Sequence, residues 1–450
     1  MQLQGQSLVR LPVWAAIFVL TSAVWSQNAP KPFHFSPPDE KLLEDANELD
    51  RQFAAKGLLF DDPKAEEYVE KIGSGLLGGA RAPERVTYRF RILRDPMVNA
   101  FALPNGSIYV NTGLVAVLEN EAELASILGH EITHVSDRHT YLLNHNLRKK
   151  AVTLDVLAAV GGVGGYFPAG AIFASSIALA ADVSQVLVVS TVYGYSQDLE
   201  RDADREGYGR LIHANYDGKS MKRALNLLDE KLEFEPTEPF WRTHPKLQER
   251  IATVEMLAKT ENRPQPREVP EGDYLEHLAP VIRYNATLDL EGRRARTAVA
   301  RAQRLVDWRP KDAENRTLLA DAYRSLGAKS AQPGENELSQ RGQATVRKRM
   351  LKMTAEEEQQ ALLQKPSGAR TLAANREQAA SLYHQAITLD PHFADPHRGL
   401  GMLYQDEGNP AEALREYQAY LDLASPQAMD RLRIERRIEA LQTASGGAKP

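Results

Sequence analysis

Cysteine is absent from the 450 residues of the sequence. Its absence excludes disulfide bonds, thiolate metal ligands and cysteine nucleophiles, and it leaves histidine and carboxylate as the only strong zinc ligands. It suits an oxidising compartment, where a stray thiol is a liability, without fixing the compartment. An excess of basic charge is also lacking, since the net charge is −5 and the pI is near 6.2. We therefore expect no nucleic-acid partner.

Long apolar runs are scarce, and the first lies close to the N-terminus. It extends from Leu11 to Trp25 and follows Arg10. At roughly fifteen residues, the run is short for a membrane span and typical of the apolar part of a secretory signal peptide. We expect residues 1–26 to be a signal peptide that is cleaved after Ser26, so that the mature chain is secreted. An uncleaved membrane anchor is the alternative.

The second apolar run, Val156 to Ala180, carries no charge and is long enough to cross a membrane. Four of the residues 161–165 are glycine and Pro168 follows, which argues against one continuous helix. We expect an apolar hairpin or loop that touches a membrane surface or a partner. The alternative is a membrane-anchored peptidase that uses residues 156–180 as a span.

The stretch from Asn120 to about His139 has the apolar spacing of a buried helix and carries His130, Glu131 and His134. Histidines four residues apart lie one turn apart on the same helix face, so both imidazoles can reach one ion at about 2.0–2.1 Å. Glu131 cannot be a third ligand without strain, but it can reach a water on that ion. The pattern predicts a zinc hydrolase in which the metal polarises water and carbonyl, and Glu131 takes the proton. The alternative is two surface histidines beside a solvated glutamate.

A site with two histidines needs a third protein ligand, and a carboxylate from a second helix is the usual solution. Glu200 and Asp204 are four residues apart and share a helix face. Glu200 can bind the metal while Asp204 holds the free N–H of a ligand imidazole. The alternative is that these acids lie on a solvated charged helix face and bind no metal, because six of the seven residues 200–206 are charged. His244, in a loop before Pro245, is either structural or free to approach the metal.

A small β-sheet is predicted directly before the metal helix. Residues 86–93 alternate in polarity as a half-buried strand does. A second extended piece, residues 99–103, meets a tight-turn signal at Pro104-Asn105-Gly106, and residues 107–111 run back. An exposed strand beside the metal could take a substrate peptide as one more strand, through main-chain hydrogen bonds.

The C-terminal part follows a linker, residues 259–273, that is rich in proline and charge. Beyond it, small and aromatic residues recur at a spacing of 34 residues. The recurring set is Ala379, Tyr383 and Ala386, followed by Ala413, Tyr417 and Tyr420. Small residues let paired helices approach while tyrosines fill the gaps, as in tetratricopeptide repeats (TPRs), which the pattern resembles. An unrelated helical bundle is the alternative, and residues 328–370 break the register.

Taken together, these motifs resemble the HtpX and CAAX-prenyl-endopeptidase type of zinc metallopeptidase, a gluzincin family. The resemblance covers about residues 40–258 in order. The segments that carry it are Asn99 to Gly106, Thr112 to Leu114, Glu121 to Leu124, His130 to His134, Arg138-His139, Glu200 to Asp204 and Thr243 to Pro245. Gln197 and Asp202 depart from the usual residues of the family, but neither occupies a metal-ligand position.

The resemblance implies one zinc ion per chain, with His130, His134 and Glu200 as its ligands. It implies Glu131 as the general base and Asp204 as the carboxylate that supports the ligands. It also implies that His244 can occupy the open metal position and hold the enzyme latent. The oxyanion donor stays unassigned, with Arg250 and His244 as candidates.

The fold class implied is mainly α: a zincin-type metalloprotease domain with a small β-sheet over residues 27–258, then an α-helical TPR solenoid over residues 274–450. This two-part plan resembles the BepA type of periplasmic protease. It implies a periplasmic zinc endopeptidase that cleaves misfolded or stalled outer-membrane proteins, with a chaperone-like role in β-barrel assembly. The implied partner of the repeats is the barrel-assembly machinery. The alternative is a TPR assembly scaffold whose proteolysis is secondary.

Overall fold

The computed structural model describes residues 34–78, 82–146, 195–231, 247–260, 266–267, 269–328 and 368–446. The expected signal peptide, the apolar run of residues 156–180 and the loop with His244 lie outside these ranges, so what we expect of them stays a prediction. Within the described ranges, every helix is too short or too polar to cross a membrane.

Helices dominate the described chain and a small sheet is present, so the mainly α fold class is confirmed. The N-terminal elements are α1 (Pro37–Ala55), α2 (Pro63–Leu76), β1 (Arg89–Leu93), β2 (Ala100–Ala102), β3 (Ser107–Asn111), α3 (Thr112–Val117) and α4 (Glu121–Ser136). Then come α5 (Gln197–His213), α6 (Lys219–Lys231) and α7 (Leu247–Thr260). The C-terminal helices are α8 (Glu271–Glu291), α9 (Ala295–Trp308), α10 (Ala313–Leu326), α11 (Gly368–Leu389), α12 (Asp395–Asp406), α13 (Pro410–Leu423) and α14 (Arg431–Gly446). A boundary between Lys41 and Leu42 divides the described residues into two units, and the contacts that build the metal centre lie within the second.

The sheet has three strands in the order β1–β3–β2, with β1 parallel and β2 antiparallel to β3. The expected hairpin between β2 and β3 is confirmed, and Gly106 at its turn has a φ of +101°, a conformation that favours glycine. β1 begins at Arg89 instead of Val86, because only the second half of the alternating segment pairs with β3. The residues of edge strand β2 are at most 3% exposed and pack against α4, whereas the binding of a substrate peptide along an exposed strand stays a prediction.

Helix α4 is buried along nearly its whole length, since every residue from Glu121 to Val135 is buried. Its apolar side chains join those of the sheet in one hydrophobic cluster. The side chain of Asn120 caps the first turn by accepting a hydrogen bond from the N–H of Glu123 at 3.0 Å. The helix is therefore fixed by packing along its length and by a cap at its start.

The end of α4 differs from the expectation of a helix that runs to His139. The helix stops at Ser136, and Arg138 has a φ of +58°, which turns the chain. Residues 139–146 are again helical. The apolar periodicity could not show this break, because a turn of two residues leaves the pattern of buried residues nearly continuous.

The first helices of the C-terminal part pack on the segment that leads into α4. The hydroxyl of Tyr274 donates to the carbonyl oxygen of Val115 at 2.7 Å. Arg304 donates to the carbonyl oxygens of Leu118 and Glu119, both at 2.8 Å. One hydrophobic cluster continues from the sheet and α4 into helices α8 to α12. The C-terminal helices thus help to fix the point where α4 begins.

The C-terminal helices pack through small residues and tyrosines, as the 34-residue pattern predicted. Tyr383 on α11 and Tyr417 on α13 are fully buried. A Cβ added to Gly399 would lie 2.2 Å from the Tyr383 ring, and one added to Gly401 would lie 2.5 Å from the Tyr417 ring. Each tyrosine therefore occupies space that a glycine on α12 leaves open, and the assignment of these helices to tetratricopeptide repeats stays a prediction.

Asp95, two residues after the end of β1, has a buried carboxyl group. It is 1% exposed, and its Oδ2 atom has no hydrogen-bond partner among the described residues. Burial raises the pKa of Asp95 to about 6 from a usual value of 3.8, although its other oxygen accepts the N–H of Met97 at 2.9 Å. Because the folded pKa is the higher one, the stability that the protonated form contributes is complete below about pH 3.8 and is lost as the pH rises through about 6.

We expect Asp95→Asn to raise the free energy of unfolding at pH 8 by about 1–3 kcal/mol and to change it little at pH 4, because the amide never ionises. Thermal unfolding of both proteins at the two pH values measures this. Asp61→Asn, at an exposed carboxylate, is the control and should leave both transitions in place. An equal effect of Asp95→Asn at both pH values would contradict the burial of a neutral carboxyl group.

Candidate metal centre

Helices α4 and α5 cross closely where the candidate ligands lie. A Cβ added to Gly207 on α5 would lie 2.9 Å from the backbone nitrogen of His130, and one added to Gly129 on α4 would lie 3.1 Å from the carbonyl oxygen of Gly207. At this crossing a side chain would require the two backbones to separate. The glycine pair therefore lets α5 bring Glu200 and Asp204 beside His130.

Three side chains converge into a group that could hold a metal ion: His130 and His134 from α4, and Glu200 from α5. The Nε2 atoms of the two histidines are 3.0 Å apart. The carboxylate oxygens of Glu200 lie 3.6 Å from Nε2 of His130 and 3.5 Å from Nε2 of His134. The two carboxylate separations, each to a different oxygen of Glu200, match the edges of a tetrahedron around one ion, which are about 3.3–3.6 Å for bonds of about 2.0–2.2 Å, and the separation of the two imidazole nitrogens is shorter than such an edge.

The second ring nitrogen of His130 contacts a buried ion pair. Its Nδ1 lies 2.9 Å from Oδ1 of Asp204. Arg250 on α7 donates to both oxygens of Asp204, at 2.9 Å from Nε and 2.7 Å from Nη2, and its Nη1 lies 3.2 Å from Glu200. Burial alone raises the pKa of Asp204, but the charge of Arg250 and the hydrogen bond from His130 hold that pKa well below its usual value. Asp204 is thus an anion that accepts the Nδ1–H of His130, so the lone pair of Nε2 faces the metal position.

The ring of His134 is held by two neighbours. Tyr195 stacks on it with ring centroids 3.8 Å apart, and the Tyr195 hydroxyl lies 3.0 Å from that of Thr140. Nδ1 of His134 lies 2.9 Å from Nδ1 of His139. Burial lowers the pKa of His139, which keeps its imidazole neutral near pH 7.

The charges of the centre fit a divalent cation. The carboxylates of Glu131, Glu200 and Asp204 carry three negative charges when ionised, Arg250 carries one positive charge, and all four side chains are at most 4% exposed. Buried charge is costly unless it is compensated. A divalent ion between the three ligands cancels the two excess negative charges, and two imidazoles with one carboxylate form a ligand set that zinc hydrolases use. The residues therefore fit zinc.

The site residues expected from the sequence mostly lie together in the structure. His130, His134, Glu200, Glu131 and Asp204 are all buried within this centre, whereas His244 lies outside the described residues. The contacts of two further residues were not predicted. Arg250 follows Asp204 by 46 residues, so no spacing rule connects them. His139 reaches His134 only because the chain turns at Arg138. The pair Arg138-His139 was part of the family resemblance in the sequence, but no contact of His139 was predicted from it.

Residues 63–258 match the sequence model of Peptidase family M48. This segment is an M48 peptidase domain. M48 metalloproteases are zinc-dependent, so the expected zinc cofactor is confirmed for the domain. The expected family, a zinc metallopeptidase, is confirmed by the same match.

Known relatives of the M48 domain include proteases named for β-barrel assembly. The beta-barrel assembly-enhancing protease of Escherichia coli (strain K12) is 27% identical over 239 residues, which are 52% of this chain and 47% of that protein. The protein of that name from Yersinia pestis is 28% identical over 228 residues, 50% of this chain and 45% of that protein. The mitochondrial metalloendopeptidase OMA1 of Schizosaccharomyces pombe is 27% identical over 170 residues, 37% of this chain and 46% of that protein. The chain spans about half the length of the curated relatives it matches.

Gly207→Ala tests whether the close helix crossing builds the metal centre of the M48 domain. Its methyl group would meet backbone atoms of His130, so we expect a loss of about 1–3 kcal/mol in stability and zinc binding at least about tenfold weaker. Thermal unfolding and zinc affinity in competition with a chelator measure the two effects. Gly209→Ala is the matched control, since a Cβ there meets nothing within 4 Å. Equal zinc affinities in the two variants would contradict the role of the crossing.

Proposed function

We propose that the full chain is a periplasmic zinc-dependent endopeptidase that cleaves misfolded or stalled outer-membrane proteins. The observation that carries this proposal is the position of Glu131. It follows His130 directly in α4, is 2% exposed, and lies in the buried centre that His130, His134 and Glu200 form. A carboxylate held beside a metal position, and not needed as a ligand, is available to move a proton.

Each residue of the centre has a chemical role in peptide-bond hydrolysis. Zinc, when bound, supplies positive charge that polarises water and the scissile carbonyl group. Glu131 accepts the proton of the attacking water and passes it to the leaving amine. Arg250 is engaged by Asp204 and Glu200, so we assign it to holding these carboxylates and not to the oxyanion.

Three features support the proposed substrates and partner: the named relatives, the apolar run near the N-terminus and the helices of the C-terminal part. Two relatives carry names that assign them a role in enhancing β-barrel assembly. The apolar run from Leu11 to Trp25 is typical of a signal peptide and supports export to the periplasm. The C-terminal part is helical, and its 34-residue recurrence of small residues and tyrosines supports an assignment to tetratricopeptide repeats, a class of fold that presents extended binding surfaces. We assign to these helices the binding of the barrel-assembly machinery, while the M48 domain cleaves stalled clients.

We expect Glu131→Gln to cleave an unfolded protein such as casein about a hundred- to ten-thousandfold more slowly, because the amide cannot take a proton from water. Its zinc content should equal that of the wild type, since Glu131 is not among the three ligands. The rate of casein cleavage and the zinc bound per chain measure these effects. Glu206→Gln, at a side chain that is 57% exposed, is the control for removing one acid near the centre.

The same variant separates the endopeptidase from a scaffold in which the repeats carry the main function. In a strain that lacks the gene, Glu131→Gln should fail to restore the assembly of outer-membrane β-barrels. Full restoration by this variant would favour the scaffold. A purified Glu131→Gln protein that cleaves casein at the wild-type rate would contradict the proposed chemistry.

A further inference from the structure

His139 is placed to orient one of the two ligand histidines of the M48 domain. We propose that Nδ1 of His139 accepts the Nδ1–H of His134 and so holds the lone pair of His134 Nε2 towards the metal. His139 is then a positioning residue, which contacts a ligand without contacting the metal itself. The inference rests on the zinc site proposed above and extends it to a residue five positions beyond the last ligand of α4.

The contact between the two rings is short and buried. Their Nδ1 atoms are 2.9 Å apart, and His134 and His139 are 1% and 2% exposed. Their ring planes are inclined at 73°, and Tyr195 stacks on His134 at an angle of only 14°. The stacked tyrosine restricts rotation of the His134 ring, so the ring presents Nδ1 to His139 and Nε2 to His130.

The path of the chain brings His139 to this position. In a continuous helix, a residue five positions after His134 would point about 140° away from it around the axis. The helix ends at Ser136 instead, and Arg138 adopts a φ of +58°, a left-handed conformation that side-chain-bearing residues seldom adopt. This turn directs His139 back towards the end of α4.

The hydrogen positions follow from the arrangement of the four ring nitrogens. A neutral imidazole has one nitrogen that donates and one that accepts. The Nε2 atoms of His130 and His134 face each other at 3.0 Å, and both need a lone pair to bind one cation. His134 then carries its proton on Nδ1 and donates it. His139 must accept at Nδ1 and carry its own proton on Nε2.

The two ligand histidines therefore have different supports. His130 donates to the Asp204 carboxylate, whereas His134 donates to a neutral imidazole. A carboxylate at position 139 would add a further buried negative charge to a centre in which a divalent ion already balances the charges of Glu131, Glu200, Asp204 and Arg250. A neutral acceptor orients His134 without disturbing that balance.

The test compares the zinc affinity of the full chain with those of two variants, by competition with a chelator. His139→Leu removes the acceptor, and we expect zinc to bind about 10–100-fold more weakly. His139→Gln keeps an acceptor in its amide oxygen, so we expect its affinity to lie close to that of the wild type. His384→Leu, which removes an exposed imidazole in the C-terminal part, is the control and should bind zinc as the wild type does.

Heteronuclear NMR of the imidazole nitrogens in the zinc-loaded wild type gives a second, independent readout. We expect a protonated Nδ1 on His134 and an unprotonated Nδ1 on His139. A proton on Nδ1 of His139, wild-type zinc affinity in His139→Leu, or equal losses in the Leu and Gln variants would each overturn the inference. A wild-type chain that binds no zinc would instead remove the zinc site, and the inference with it.

Discussion

The close crossing of α4 and α5 at Gly129 and Gly207 is the constraint on which the metal centre depends. Two imidazoles one turn apart can be supplied by a single helix, but the third ligand comes from a second helix more than sixty residues later in the chain. Glu200 lies 3.5–3.6 Å from the ligand nitrogens because the two backbones touch without intervening side chains. In the M48 domain, two facing glycines thus let the helices approach closely enough for Glu200 to lie beside both ligand histidines.

The same helix, α4, is fixed at both ends by contacts that surround the centre. At its start, the buried carboxylate of Glu121 accepts hydrogen bonds from the hydroxyls of Tyr68 at 2.8 Å and Tyr216 at 2.7 Å, and Arg304 from the C-terminal part holds the carbonyl of Glu119. At its end, the turn at Arg138 brings the chain back to the ligand histidines. The apolar residues of α4 and those of helices α8 to α12 therefore belong to one packed core.

Local patterns in the sequence predicted the local parts of this structure. The spacing of His130 and His134, the turn at Gly106 and the recurring tyrosines each depend on residues close together in the chain, and all three appear where the patterns put them. The break at Arg138 was not predicted, because hydrophobic periodicity is insensitive to a turn of only two residues. The contacts of Arg250 were not predictable either, since they arise only when α7 packs beside α5 in three dimensions.

The central claim is that His130, His134 and Glu200 bind one zinc ion together. X-ray absorption at the zinc edge of the zinc-loaded full chain tests it most directly, because the spectrum reports the atoms around the metal. The account predicts nitrogen and oxygen ligands at about 2.0–2.2 Å, with outer-shell scattering from two imidazole rings. A spectrum with one imidazole or none, at one zinc ion per chain, would contradict it.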